Sequence, residues 1–115
     1  FKSMKKLEIL FFENVKFSES PKYLPNSLKV LKWKGYPYSY LPPNFCPKKL
    51  VMLDIGHGYL SSLDTTQTWD NLSILNLGGC EYVIEIPDLS NVRKLKELDL
   101  FGCKNLVEIH DSIGY

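Results

Sequence analysis

The sequence lacks long apolar runs and has few cysteines. No stretch approaches the roughly 18 consecutive apolar residues that a membrane-spanning helix needs, so no span is predicted. No basic segment followed by an apolar one opens the chain, so no secretory signal peptide is predicted. The three cysteines, Cys46, Cys80 and Cys103, are odd in number and far apart, which argues against a disulfide framework and favours a reducing compartment.

Motifs for catalysis, metal binding and nucleotide binding are also missing. The two histidines, His57 and His110, do not belong to a nucleophile–base–carboxylate pattern. No CxxC or HxxxH pair offers a zinc site, and Gly78-Gly79 is not part of a phosphate-binding loop. We therefore expect no catalytic residue, no metal and no cofactor in this chain.

The sequence does contain a leucine pattern that recurs five times. LSILNLGGC at residues 72–80 places leucines at positions 1, 4 and 6 and a cysteine at position 9, and LKELDLFGC at 95–103 repeats every anchor. The first anchors are Leu7, Leu28, Leu50, Leu72 and Leu95, at spacings of 21, 22, 22 and 23 residues. Leucine patterns with a period of about 20 to 29 residues are typical of leucine-rich repeats.

This period predicts an α/β-type leucine-rich-repeat solenoid with about five short parallel strands on its concave face. We expect strands near 7–14, 28–35, 50–57, 72–79 and 95–102, and irregular or 3₁₀ returns on the convex face. Neither end shows a capping turn, so residues 1–115 are expected to be one array cut from a longer one.

A second, weaker anchor follows the first by 13 or 14 residues, at Leu41, Leu63, Ile86 and Ile109. Proline follows two of these anchors, and proline cannot donate to a strand ladder. We therefore expect the pairs Leu41-Pro42 and Ile86-Pro87, and the comparable pair Leu24-Pro25, to lie on the return path, outside any paired strand. In the fourth return, Tyr82, Val83 and Ile86 are expected to point inward.

Net charge is +1 overall but strongly polarised along the chain. Residues 1–50 carry ten lysines and three glutamates, a net +7, and residues 51–115 carry four basic and ten acidic side chains, a net −6. In an elongated array this becomes an end-to-end charge gradient that would orient partners.

Residues between the anchors are expected to face the concave surface, where side chains on neighbouring strands lie about 5 Å apart and can merge into one patch. Trp33 is an inward anchor and cannot stack on bases, so the lysines around it do not predict nucleic-acid binding. The predicted partner-binding residues are Lys29, Lys32, Lys34, Met52, Asp54, His57, Ser73, Ile74, Asn76, Lys96, Asp99 and Phe101.

Several motifs resemble the N-terminal repeats of intracellular plant disease-resistance receptors with a Toll/interleukin-receptor-like domain, a nucleotide-binding domain and leucine-rich repeats. The matching residues are Leu24-Pro25-Asn26-Ser27-Leu28, Trp33, Tyr36-Pro37, Ile86-Pro87-Asp88-Leu89-Ser90, Cys80 and Cys103. The resemblance covers essentially the whole chain, and the departures from it are Ile55-Gly56-His57-Gly58 and Gly78.

The resemblance implies a protein–protein interaction module that contributes to effector recognition and autoinhibition in the defence response. Its partners would be the receptor's own nucleotide-binding domain, expected to meet the basic N-terminal turns, and a pathogen effector or a guarded host protein. An NAD-cleaving Toll-like domain and the nucleotide site would lie upstream. The implied location is the cytoplasm, with the nucleus as an alternative for the full-length receptor.

Two other interpretations stay open at this point. An extracellular leucine-rich-repeat receptor ectodomain is favoured by the glycosylation sequon Asn71-Leu72-Ser73, which we nevertheless expect to be unused. The substrate-recognition repeats of a ubiquitin-ligase receptor would need an adaptor-binding helical motif upstream.

Overall fold

In a computed structural model of the chain, five short strands form one open parallel sheet. The structure describes residues 6–14, 24–42, 45, 48–61, 69–83, 85–86, 89, 92–106 and 108–109. The sheet runs in the order β1 (Ile9–Glu13), β2 (Val30–Lys34), β3 (Met52–Asp54), β4 (Ile74–Asn76) and β6 (Glu97–Asp99). The predicted fold class is confirmed by this sheet, which is compatible with a leucine-rich-repeat solenoid.

Equivalent positions of the repeat pair with one another across the sheet. The fourth position forms one row of register partners: Leu10, Leu31, Leu53, Leu75 and Leu98. The strands are shorter than the eight-residue segments expected, because the chain enters and leaves them through turns. At the entries of β2, β3, β4 and β6 two successive amides share one carbonyl; Lys29 N and Val30 N, for example, donate to Glu8 O at 2.7 and 3.0 Å.

The hydrophobic core lies beneath the sheet and is densest under β2, β3 and β4. Leu31, Leu53 and Leu75 are fully buried, whereas Leu10 and Leu98 at the two edges are only half-buried. Trp33 points inward as predicted, and its ring meets those of Phe12 and Tyr36 edge to face, with centroids 4.8 and 5.0 Å apart. Each inner turn gains core contacts from two neighbours, whereas an edge turn gains them from one.

The return path contains a second parallel sheet, of β5 (Glu85–Ile86) and β7 (Glu108–Ile109). The prediction that the Ile86-Pro87 pair lies outside any paired strand is therefore wrong for Ile86, which is the register partner of Ile109. Pro87 follows β5 in the sequence, so its missing N–H does not interrupt the two-residue ladder. Leu63 lies outside the described residues, and Leu41 lies in an irregular segment.

Elsewhere the described returns consist of turns and bends, with no α- or 3₁₀-helix among these residues. Accordingly, no helix in the described part of the chain has the length and apolar character of a membrane span.

Each strand of the main sheet is followed by one residue in the left-handed conformation. These residues are Asn14, Gly35, His57, Gly79 and Gly102, with φ between 56 and 80°, and all occupy the eighth position of the repeat. This conformation costs an L-residue about 1–2 kcal/mol, so glycine and asparagine are the usual occupants and His57 is an exception. The eighth-position amides bind the next turn, as when His57 N donates to Gly78 O at 2.8 Å.

Candidate interaction surface

The exposed face of the five-stranded sheet, which we call the exposed sheet face, carries one largely apolar row and one polar row. The apolar row consists of Ile9, Val30, Met52, Ile74 and, at its end, Glu97. The polar row, which is polar apart from its first residue, consists of Phe11, Lys32, Asp54, Asn76 and Asp99. Because register partners are about 5 Å apart, each row forms a continuous stripe across the strands.

A groove of about 470 Å³ lies on this face over β3, β4 and β6, and we call it the β3–β6 groove. It brings together six of the twelve predicted partner-binding residues: Met52, Asp54, Ile74, Asn76, Lys96 and Asp99. Glu97 and the core leucines Leu75 and Leu98 complete the lining. With three carboxylates and one ammonium group, the groove is acidic, as expected for the C-terminal half.

Three polar residues of the groove also close the ends of their own strands. Gly56 N donates to Asp54 Oδ1 at 3.1 Å, Gly78 N to Asn76 Oδ1 at 2.8 Å, and Phe101 N to Asp99 Oδ1 at 2.9 Å. A carboxylate or amide oxygen that accepts from the amide two residues later stabilises a turn. These side chains therefore have a structural role, which the sequence analysis did not foresee, and keep one terminal atom outside these turn contacts.

Asp54 is the most enclosed charged residue of the groove, with 8% of its surface exposed. Its negative charge also acts electrostatically on Cys80, which lies in the core. Burial raises the pKa of the Cys80 thiol, and the nearby Cys103 and Asp54 raise this pKa further. Cys80 Sγ lies 3.2 Å from the Ile55 carbonyl, as a donor to it. Cysteine recurs at the ninth position of two adjacent repeats, which predicts small buried residues at Cys80 and Cys103; the prediction is confirmed for Cys80, whereas Cys103 is only partly buried.

The three predicted lysines lie on or beside β2, outside the β3–β6 groove. Lys29 Nζ is 3.7 Å from Glu8 Oε2, and both side chains are more than half exposed, so the pair stabilises the fold little. Lys34 is the register partner of Glu13, and Lys32 is half-buried. These lysines thus form a separate basic strip next to the acidic groove.

The other three predicted residues also lie outside the groove lining. His57 occupies a left-handed turn, and its ring covers Gly79 of the next turn: a Cβ on Gly79 would lie 2.7 Å from His57 Cε1. Phe101 follows β6 and is 89% exposed. Ser73 is half-buried before β4, and its carbonyl accepts from the amides of Lys96 and Glu97.

A pair of exposed tyrosines was missed by the sequence analysis. The rings of Tyr59 and Tyr82 meet edge to face, with centroids 5.6 Å apart and more than half of each residue exposed. The prediction that Tyr82 points inward is therefore wrong, whereas Val83 is buried as predicted. The two tyrosines are 23 residues apart, which is one repeat interval and was the available signal.

The sequon asparagine joins successive turns. Asn71 Nδ2 donates to Lys48 O at 2.7 Å, and Lys94 Nζ donates to Asn71 Oδ1 at 2.9 Å. A glycan would be attached to Nδ2, the atom that makes the first of these bonds.

Comparison with known proteins relates the chain to plant disease resistance proteins. In Arabidopsis thaliana, it is 44% identical over 92 residues to disease resistance protein RPP4 and 40% identical over 92 residues to disease resistance protein RML1B, 79% of the chain in both cases. It is 38% identical to disease resistance protein RPP5 over 98% of its length. The chain spans only 8–9% of these relatives. No protein-family model and no solved structure matches it.

Proposed function

Because the chain belongs to the family of plant disease resistance proteins, we propose that it is a protein–protein interaction segment of an intracellular immune receptor. The relatives support a role in plant defence. In this proposal the segment takes part in effector recognition and autoinhibition, and itself carries neither a reaction nor a cofactor. A nucleotide-binding domain and an NAD-cleaving Toll-like domain would belong to other parts of the receptor.

The observation that best supports binding is the exposed sheet face. Its apolar row and the β3–β6 groove combine partly exposed Met52 and Ile74 with charged side chains, a mixture that suits a protein partner. Strand pairing keeps the backbone beneath them in one register, so the binding residues are already arranged before a partner arrives. We assign effector or guarded-host-protein recognition to this groove.

We assign autoinhibition to the basic strip of Lys29, Lys32 and Lys34, whose partner would be an acidic surface of the receptor's own nucleotide-binding domain. Lys29 and Lys34 are exposed, and the weak Lys29–Glu8 pair leaves the lysine available. Charge complementarity of this kind governs orientation and association more than affinity.

Charge reversal tests this assignment in the full-length receptor. Lys29→Glu, Lys32→Glu and Lys34→Glu together should release autoinhibition and give a defence response without a pathogen. The matched control reverses Lys6, Lys48 and Lys49, three exposed lysines that change the net charge equally. Unchanged autoinhibition in the first variant, at normal receptor abundance, would reject the role of the basic strip.

Two details favour an intracellular receptor over an extracellular ectodomain. The Asn71 amide bonds to Lys48 O, and Cys80 is a buried free thiol. We propose that the sequon is unused and that the receptor resides in the cytoplasm. A mass shift at Asn71 after glycosidase treatment of protein from plant tissue would overturn this location.

A further inference from the structure

The apolar row of the exposed sheet face is a line of four apolar side chains, one on each of four neighbouring strands. Ile9 is 64% exposed, and Val30, Met52 and Ile74 are half-buried, so each presents apolar surface outside the core. They are successive register partners on β1, β2, β3 and β4. A contiguous apolar patch with a polar border is typical of a protein–protein interface.

This apolar line runs across the strands and not along them. Side chains two residues apart in a strand share a face, so Met52 is followed by Asp54 and Ile74 by Asn76. An apolar ridge of a partner laid along β3 or β4 would therefore exclude water from a polar side chain, which is costly. A ridge laid across the strands meets only apolar residues from β1 to β4. The row thus favours a partner whose apolar side chains cross the sheet.

An α-helix has the spacing that this direction requires. Neighbouring strands lie about 4.8 Å apart, so the three intervals from Ile9 to Ile74 span about 14 Å. Helix positions i, i+3, i+7 and i+10 share one face and span about 15 Å at 1.5 Å per residue. Four apolar helix side chains can therefore each meet one strand. An extended segment repeats a face every 6.6 Å or about that, so it loses register within two strands.

The β3–β6 groove adds depth to one end of the apolar row. The groove has a volume of about 470 Å³, and both Met52 and Ile74 line it. The core leucines Leu75 and Leu98 contribute to the same lining, so a side chain entering the groove meets apolar surface there as well. Apolar side chains on one face of a helix can enter such a groove while the rest of the helix stays outside.

Charges beside the apolar row change sign from one end to the other. The β1–β2 end carries three lysines against two glutamates, namely Lys29, Lys32, Lys34, Glu8 and Glu13. The groove end carries three carboxylates against one ammonium group, namely Asp54, Glu97, Asp99 and Lys96. A helix with an acidic first turn and a basic last turn complements both ends. The same order of charges stabilises the helix itself, because it matches the helix macrodipole.

We propose that the apolar row binds an amphipathic α-helix of a protein partner, laid across the strands. Its acidic N-terminal turn lies over β1 and β2, and its basic C-terminal turn lies over the β3–β6 groove. This inference rests on the proposed function, since it names the partner element that the same surface recognises. A helix along the whole row also covers the basic strip, so it competes there with the nucleotide-binding domain.

The test uses the full-length protein and the designed peptide acetyl-EELEALQQALKALKK-amide, whose leucines occupy positions i, i+3, i+7 and i+10. A benzophenone photo-crosslinker is attached to one end or the other, and mass spectrometry locates the labelled residues. The N-terminal crosslinker should label the β1–β2 region and the C-terminal one the β4–β6 region.

A proline peptide, acetyl-EELEALQPALKALKK-amide, separates a helix from an extended segment. It keeps every leucine and every charge, but proline in its centre breaks the helix. Its crosslink yield should be at least about tenfold lower, because the leucines no longer share one face. An equal yield would show that an extended segment fits the row and would overturn the proposal.

A peptide with exchanged charges, acetyl-KKLKALQQALEALEE-amide, tests the direction of the helix. Its leucine spacing reads the same from either end, so it fits the apolar row in both directions. It should bind reversed, with its C-terminal crosslinker labelling the β1–β2 region, because the acidic end follows the lysines. The same labelled regions for both peptides would overturn the charge-directed orientation.

Substitutions of the protein test the apolar row itself. Met52→Lys should lower the crosslink yield about tenfold, because it places a charge under the apolar side of the helix. Met52→Ala adds no charge and should lower the yield about threefold through lost apolar contact. The matched control Tyr40→Lys alters a residue that is 66% exposed and lies outside the strands and the groove lining, and should change nothing. Equal losses in the two lysine variants, or none in either Met52 variant, would overturn the proposal.

Sedimentation velocity without peptide tests a second copy of the chain as the occupant. The full-length protein should sediment identically with and without Met52→Lys. A dimer that this substitution dissociates would assign the apolar row to a second copy and overturn the proposal.

Failure here and failure of the proposed function are distinguishable. If peptide labelling ignores Met52 while substitutions on the exposed sheet face still alter the defence response, only the helix assignment is wrong. If Met52 controls labelling while no such substitution alters the response, the face binds a helix but the proposed function is wrong.

Discussion

The first two repeats and the last three differ in the side chains that stabilise the turns after their strands, although the strands of all five repeats pair through the same backbone hydrogen bonds. At the fifth position of the repeat, β1 and β2 carry Phe11 and Lys32, whereas β3, β4 and β6 carry Asp54, Asn76 and Asp99. The later turns therefore fix their strand exits with side-chain oxygens. The second turn relies instead on packing of Trp33 against Tyr36.

The difference between the two regions also separates two kinds of surface. In the first region the side chain at the fifth position does not stabilise the following turn. Lys32 at this position therefore contributes only its charge, as part of the basic strip. In the second region the same position holds a turn with one atom and presents another atom to the groove. A residue in the later turns is thus under structural and binding constraints together, which the leucine pattern alone does not show.

Removing the buried ring of Trp33 should have the largest effect on stability. Trp33 is fully buried against Phe12, Tyr36 and Tyr38. Trp33→Ala should lower the free energy of unfolding by about 3–5 kcal/mol, because it removes this contact and leaves a cavity. Phe101→Ala, at an exposed aromatic of the later turns, should stay within about 0.5 kcal/mol. Denaturant unfolding followed by far-ultraviolet circular dichroism measures both, and equal losses would contradict the account.

The next-largest effect concerns the His57 ring, which restricts the size of the residue that the following turn can hold at position 79. Gly79 (φ 75°) lies beneath the His57 ring, whereas a Cβ on Gly102 (φ 80°) would meet its nearest atoms at 3.5 Å. Gly102→Ala should cost about 1–2 kcal/mol of unfolding free energy, from backbone conformation alone. Gly79→Ala should cost more, and His57→Gly should recover the excess in a double-mutant cycle. The prediction fails if the two alanine variants are equally destabilised.

The Asp54 turn contact can be separated from the Asp54 charge. Asp54→Ala should lose about 1 kcal/mol of unfolding free energy, since Gly56 N loses its acceptor. Asp54→Asn keeps that acceptor and removes an enclosed charge, so its stability should equal or exceed that of the unaltered chain. If the asparagine variant is as unstable as the alanine variant, the charge itself stabilises the fold.

The smallest effect concerns the pH dependence that Cys80 contributes. Burial raises the folded pKa of Cys80 above the ordinary value of a thiol, so stability is complete below that ordinary pKa and declines as pH rises above it. The unfolding free energy should therefore fall as pH rises above about 8.5 in the unaltered chain, and less so in Cys80→Ala. Parallel pH profiles for the two proteins would contradict the raised pKa.

Much of the architecture followed from the leucine spacing. The parallel sheet, the inward Trp33 and the buried Cys80 were all predictable, because an anchor that recurs once per turn must stack on its equivalent. The strand exits were less predictable. Alternation of faces holds only within a strand, so it gives no direction for Tyr82, which lies in a turn beyond β4 and is exposed, whereas the neighbouring Val83 is buried.

Half of the predicted partner-binding residues line the groove, because alternation of faces correctly predicts the direction of side chains within a strand. Met52, Ile74 and Asp99, for example, lie within the strands, where face assignment by alternation works. His57 and Phe101 lie in turns, where local backbone conformation decides direction. The turn role of Asp54, Asn76 and Asp99 had a signal, a side-chain oxygen at the same position of three repeats. The signal alone did not predict a turn contact, because that contact depends on the direction of the backbone amide two residues later.

The central claim, that the exposed sheet face serves a protein partner in plant defence, is tested most directly by Ile74→Arg in the full-length receptor. Ile74 is half-buried in the β3–β6 groove, so the substitution places a bulky cation on the binding surface. The account predicts an altered defence response at unchanged receptor abundance, whereas Asp70→Arg, outside the groove lining, leaves the response intact. An unaltered response in Ile74→Arg would contradict the claim.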